Sequence, residues 1–459
     1  MPTRRQFLEQ TAGGIGMMAL ARLLHAEKQS AHRSHFKSTA KSVIFLNMPG
    51  GPSQLDLLDP KPELAKWHGK PLPLSATKDL KLAFIKPTAN VVASPSVFSP
   101  RGQSGIEISD YLPHLAGCAD DLCLLRAVHT EAFNHDPGEL MLMTGHTQFG
   151  RPSMGSWVVY GLGSESQNLP GFVVLTSGTP PSAGTNNWSA GFLPSEYQGT
   201  PLRGSGEPIP YLASPAGYDP AMQRARLDAI GKLNRHRGTI TGDAEIEARI
   251  ASYELAFRMQ SAAPELLDFS KETPAALEMY GVNKEPTHSY AVNCLLARRM
   301  VERGVRFVLV SHGSWDDHND LDKNLKKNCE ITDRPAAALL QDLKQRGLLD
   351  STLVIWGGEF GRTPMTQQQR PDIGYGRDHH PSCYSMWLAG GGVRNGQVIG
   401  RTDEFGLQGV EDRTSVNDLQ ATVLHLLGFD HTKFTFSHMG RNFRLTDVHG
   451  NVIRKAAGG

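Results

Sequence analysis

The apolar run Leu353, Val354, Ile355 and Trp356 constrains this chain more than any other stretch. It lies between the polar turn LLDST and the pair Gly357 and Gly358. It is too short for a helix and apolar on both faces, so it reads as a strand buried on both sides of a parallel sheet. In such sheets ligands sit beyond the carboxyl ends of the strands. The residues that follow, GGEFGRTPMTQQQRPDIGYGRDHH, bring Glu359, Arg362, Asp378, His379 and His380 to that edge. A carboxylate, a guanidinium and two imidazoles there can hold a metal and an anion.

The pattern occurs once earlier, in VRFVLVSHGSWDDHND. An apolar strand from Val305 to Val310 is followed by His312, Asp316, Asp317 and His318. Imidazole and carboxylate are ligands for divalent metals, and close spacing on one loop lowers the entropy cost of gathering them. Asp317, Asp320 and Asp378 are read equally well as turn caps, and His312 as a hydrogen-bonded loop histidine. His129, His146 and His425 are expected to be structural.

A first strand, SVIFLN, breaks at MPGGPSQLD, where glycines permit turns closed to other residues. It delivers Ser53 and Asp56 to the same edge, unless either simply caps a following helix. Residues 59–100, rich in Pro and Lys, read as a surface excursion, and IEISDYLPHLAGCADD as a helix leading into the strand LCLLRAV. In FNHDPGELMLMTG, Pro137 suits a first helical turn, Asn134 or Asp136 its cap, and Gly145 its end. His135 and Asp136 then sit at a helix N-terminus, which favours an anion. GFVVLTSG and YSMWLAGGGV read as strands, and GQVIGRTDEFG as a hairpin. Asp219 to Phe269, YAVNCLLARRMVERG, ITDRPAAALLQDLKQRGLLD and SVNDLQATVLHLLGF read as helices. Helix alternating with strand implies right-handed parallel crossovers. Residues 180–215, rich in Gly, Pro and Ser, are expected to be an insertion or lid on the substrate side.

The N-terminus carries Arg4 and Arg5 before the weakly apolar TAGGIGMMALARLL, the pattern of a twin-arginine export signal. The apolar segment falls short of the ~20 residues of a membrane span and contains Arg22. The expected organisation is a signal over 1–26, a polar spacer over 27–40 and one α/β domain over 41–459, in a periplasmic or extracytoplasmic location. A net charge of +1 with no long basic run argues against nucleic acid as a partner. The five cysteines form no zinc motif; they are either buried thiols or include one disulfide.

Several of these segments resemble the alkaline phosphatase and sulfatase superfamily: LLDSTLVIWGGEFG the strand leading to paired metal ligands, HDPGELMLMTG the helix after the sulfatase nucleophile, and NDLQATVLHLLGFD the C-terminal helix. The export signal with GGPSQLDLLDPKPEL, WDDHND, EFGRTP and GRDHHP resembles the exported sulfatase-like family labelled domain of unknown function fifteen-oh-one. The resemblance implies an alkaline phosphatase-like fold, a mostly parallel central sheet flanked by helices with long loop insertions. It also exposes departures. His135 falls where the formylglycine-forming cysteine belongs, Glu139 where an arginine belongs, and Glu359 and Phe360 replace the strand-end ligand pair. Asp316 and His318 match one metal half-site with shorter spacing, and His379 or His380 the late histidine.

Two functions follow as expectations. In the first, Asp316, His318 and His379 or His380 hold a divalent cation (zinc, manganese or calcium), with Glu359, Asp56 and Asp378 as further contributors. Arg362 pairs with an anionic small-molecule or glycan ester, metal-activated water attacks, His135 serves as general acid or base, and Ser53 is a weaker nucleophile candidate. In the second, a degenerate fold binds a metal or anion without catalysis.

Overall fold

The computed structural model describes residues 34–78, 80, 82, 84–202, 217, 219–241, 245–368 and 374–458. The expected export signal with Arg4 and Arg5, most of the spacer and residues 203–215 of the expected insertion lie outside the described residues.

Among the described residues, nine strands make the central sheet: β1 (Ser42–Asn47), β2 (Cys123–His129), β3 (Phe172–Ser177), β4 (Thr200–Leu202), β5 (Phe307–His312), β6 (Thr352–Gly357), β7 (Tyr384–Ala389), β8 (Gln397–Ile399) and β9 (Thr414–Ser415). The order is β8-β2-β7-β6-β1-β5-β3-β4, with β9 also on β2. Every pairing in this sheet is parallel except those of β7, which runs antiparallel to both β6 and β2. β1 is central, with Phe45 opposite Leu309 of β5 and Ile355 of β6. The parallel strands therefore open their carboxyl ends on one edge, where β7 begins.

The principal helices are α1 (His135–Thr144), α2 (Met154–Leu162), α3 (Pro220–Thr241), α4 (Glu245–Leu267), α5 (His288–Glu302), α6 (Leu321–Gln345) and α7 (Val416–Leu426). Alternation along β1 separates two apolar layers. Ile44 and Leu46 pack with Leu295 of α5 and Leu339 of α6. Val43 and Phe45 pack with Trp157 of α2 and Leu419 of α7. The α/β architecture is the expected one, with helices on both faces of a mostly parallel sheet. Residues 59–100 fold over a separate small cluster that includes Leu64, Leu72, Val91 and Met365. All five cysteines are buried and free. No helix among the described residues is long and apolar enough to cross a membrane.

Three local expectations are corrected. The helix expected over IEISDYLPHLAGCADD is a strand, Ile106–Ser109, paired with Phe98–Arg101, followed by a 3-10 turn over Leu115–Asp121. Ile106 and Ile108 alternate with period two, and Pro113 interrupts any helix across the segment. The hairpin expected within GQVIGRTDEFG is split. β8 lies parallel on β2, while Arg401–Thr402 pair with Gly409–Glu411 beyond the segment. His379 and His380, expected on a loop, pair antiparallel with Arg362 and Gly361. Neighbouring side chains in that pair must point to opposite sides.

Candidate metal centre

Asp316, His318 and Glu359 follow strand ends, His135 opens a helix, and His379 lies in the short strand His379–His380. β5 finishes at His312, and the loop turns so that the Trp315 indole Nε1 donates to the His312 carbonyl at 2.9 Å, presenting Asp316 and His318. Gly50, after β1, has φ +113°, and a Cβ there would strike the Trp315 and Asp316 backbone, so only glycine lets the two loops nest. β6 leads through Gly357 and Gly358 to Glu359. β2 leads to Asn134, the N-cap of α1, so that His135 opens the helix.

His135 Nδ1 lies 2.6 Å from Glu359 Oε1, and His379 Nδ1 lies 2.7 Å from the Phe133 carbonyl. Both oxygens can only accept, so each Nδ1 carries a hydrogen and each Nε2 points inward, toward Asp316. His135 Nε2 is buried and lies 3.2 Å from Asp316 Oδ2. His379 Nε2 lies 3.2 Å from Asp316 Oδ1 and 3.0 Å from His318 Nε2, which is itself 2.9 Å from the same carboxylate oxygen. One donor atom from each of His135, Asp316 and His379 lies within 4.8 Å of the others, an arrangement that fits a cation. Imidazoles tethered through Nδ1 to oxygen acceptors are the usual outer support of metal ligands.

Burial opposes charge on Asp316, but hydrogen bonds from His135, His318 and His379 and the nearby Arg362 outweigh it and hold the carboxyl well below the usual range. Burial likewise opposes charge on His135, yet Asp316 and Glu359 hold its imidazole up at about 9, so at neutral pH its Nε2 carries a proton that a bound cation would displace. Burial pushes His379 down despite its bond to Asp316.

Of the residues expected at the site, His135, Asp316, His318, Glu359 and His379 come together. Arg362 is beside them in a different role. It is fully buried, and its three guanidinium nitrogens serve the carbonyls of Gly51, Gly50, Trp315 and Arg377 and, at 2.6 Å, Asp316 Oδ1. It positions Asp316 and, fully buried, lines neither cavity at the centre, so it does not meet an anionic substrate.

The other expected residues are engaged elsewhere. Asp56 is buried against Arg377, with contacts of 2.8 and 3.1 Å, and accepts from Ser53, so neither reaches the centre. Asp378 accepts the amides of Phe84 and of His379, each at 2.9 Å, and so fixes the backbone that carries His379. His380, on the opposite side of its strand, faces the Leu407 carbonyl at 2.8 Å. The helix N-terminus is also a poor anion site. Gly138 N already bonds Asn134, Pro137 has no N–H, and Asp136 adds negative charge to the first turn.

Three contributors escaped the sequence reading. Glu139 is buried and accepts from the amides of Ser182 and Ala183 and from Asn187 Nδ2, tying the 180s loop to α1. Phe84 is 64% exposed, with its ring centroid 5.7 Å from that of His379 and 5.8 Å from that of His318, both in edge-on geometry. Gln54 clasps Arg362, accepting from its N–H at 2.8 Å and donating to its carbonyl at 2.9 Å. None carries a local sequence signal, because each acts through a partner distant in the chain. A cavity of about 400 Å³ opens over the centre between Phe84, Asp136, Ser182 and His318. A second, of about 240 Å³, lies on the other side of His135 and Asp316, against Gly50, Glu139 and Ser314.

A family model described as a protein of unknown function (DUF1501) matches residues 40–457. No curated protein matches the sequence. Solved structures to which the chain is similar include the lipoteichoic acid synthase LtaP from Listeria monocytogenes, at 10% identity, 94% coverage of this chain, 82% of that chain and a TM-score of 0.41. The PsFucS1 sulfatase from Pseudoalteromonas sp. matches at 13% identity, with coverages of 94% and 72% and a TM-score of 0.38. The alkaline phosphatase from the Antarctic bacterium TAB5 matches at 11% identity, with coverages of 77% and 92% and a TM-score of 0.34.

Proposed function

The chain belongs to the DUF1501 family, and from that premise we propose that it is a metal-dependent hydrolase of phosphate or sulfate esters. The observation that carries the reading is the convergence of the His135 and His379 Nε2 atoms on Asp316, with each Nδ1 hydrogen committed to an oxygen. His135, Asp316, His318 and His379 hold the cation. Three imidazoles and one carboxylate favour zinc over calcium, which takes oxygen ligands. The bound ion would polarise an ester oxygen and lower the pKa of water. Glu359 orients His135, Arg362 orients Asp316, and Asp378 fixes the backbone at His379. His135 is then a ligand, not the general acid or base. An exported, cell-envelope location is part of the same proposal, resting on Arg4 and Arg5 before an apolar segment.

One observation favours a non-catalytic binding protein instead: no lysine or arginine lines the larger cavity among the described residues, so a bound anion would meet the cation alone. Elemental analysis after purification without chelators should find a tightly held divalent ion that Asp316→Ala loses; a metal-free protein overturns both readings. A metal-supplemented screen of phosphate and sulfate esters with the same variant separates them. Turnover abolished by Asp316→Ala supports the hydrolase, and metal without turnover supports the binding protein.

A further inference from the structure

Far from the metal centre in the chain, α3 and α4 form an antiparallel helical pair, and α3 has two distinct faces. Its inner face packs on α4. Gly231 is buried, Arg224 bonds Glu254, and a Cβ at Gly238 would lie 3.6 Å from Ile246. The opposite face carries Met222, Ala229, Leu233 and Ile240, a spacing of seven, four and seven residues that keeps them in one line along the helix. That line is open: Met222 is 52%, Leu233 70% and Ile240 73% exposed. Exposed Arg226 and Arg237 flank it on one side, and exposed Lys232 and His236 on the other. Of the five arginines and lysines across Pro220–Thr241, Arg224 is taken up by Glu254 and Asp228, and Arg226, Lys232, Arg235 and Arg237 lie outside that cluster, in a chain whose net charge is only +1.

We propose that this outer face of α3 docks onto an anionic lipid surface, the apolar line entering the headgroup layer and the flanking cations meeting lipid phosphates. The physics is that of interfacial helices, where apolar burial and attraction to anionic headgroups add. A second copy of the chain is disfavoured as the occupant, since symmetric packing would set this basic face against itself.

The test uses the full chain with Ala229→Cys labelled by an environment-sensitive fluorophore, the five native cysteines being buried. A label on α3 reports insertion there and not at the N-terminal segment. Vesicles containing about 30% phosphatidylglycerol should brighten and blue-shift the emission; neutral phosphatidylcholine vesicles should not, and raising NaCl from about 0.1 to about 0.5 M should reverse the change. Leu233→Asp with Ile240→Asp should lower the partition coefficient by about tenfold or more while the helical circular dichroism is retained. Arg226→Gln with Lys232→Gln and Arg237→Gln, which spares the apolar line, should remove the salt-sensitive part. An unmoved label, or partition that these variants leave unchanged, overturns the proposal. So does a sedimenting dimer that the aspartate pair abolishes, which would assign the line to a second copy.

Discussion

Glu359 shows how one fully buried carboxylate can act through a neighbour. Its Oε1 takes the His135 Nδ1–H at 2.6 Å and the Gly50 amide at 2.9 Å. Glu359→Gln keeps the shape and removes the charge, so metal affinity should fall by roughly 10–100-fold in a competitive chelator titration; an unchanged affinity would refute the orienting role. His312 governs stability instead. Burial pushes its imidazole down to about 4, so it stays neutral in the fold while the unfolded chain titrates near the ordinary 6.5. As pH falls from about 6.5 to about 4, the unfolded state takes up a proton that the folded state refuses, and up to about 3 kcal/mol is lost. Urea unfolding of His312→Asn should therefore lose less stability between neutral and acid pH than the parent; parallel curves would refute it. At this scale the sequence could nominate residue types but not directions. Asp56 and Arg362 have the right chemistry for a site, yet each is consumed by a partner far away in sequence: Arg377 for one, loop carbonyls for the other. His379 and His380 differ only in the side of a two-residue strand on which they fall.

The element that sets His135 in place is α1, and it ends on Gly145 at φ +73°, where a Cβ would collide with the Leu445 carbonyl. Gly145→Ala should cost about 2 kcal/mol or more in thermal unfolding, and should weaken metal binding because the helix carries a ligand at its other end. A variant as stable as the parent would mean that this contact relaxes freely. The elements most readily read from sequence were those whose periodicity matched their burial: β1, β5 and β6 as continuous apolar runs between two covering layers, and α7, which Ser415 and Asp418 close with a capping box. Residues 98–121 were harder, because Ile106 and Ile108 fit a strand while the neighbouring apolar residues also fit a helical spacing. The reversed direction of β7 left no trace in its own composition. An apolar strand buried on both faces looks the same whichever way it runs.

Across the whole molecule, the loop after β1 is locked to the segment bearing His379 by Asp56 and Arg377, whose side chains are 1% and 0% exposed. Removing one partner of such a pair strands a buried charge, so Arg377→Met should destabilise by about 3–5 kcal/mol and loosen the site with it. Chelation should lower the melting temperature of the parent and leave Asp316→Ala unmoved, since only an ion bound to the folded state stabilises it; equal shifts would place the ion elsewhere. The inward-facing atoms come from His135, Asp316, His318 and His379, groups separated by up to 244 positions, with β7 still to be laid in after the last of them. No fragment shorter than that span contains the full donor set, and bringing its ends together is a late, entropically costly event. Metal uptake would thus act as a checkpoint on maturation: a chain cut short before His379 would stay apo, and occupancy would certify that the span from His135 to His379 had reached its final arrangement.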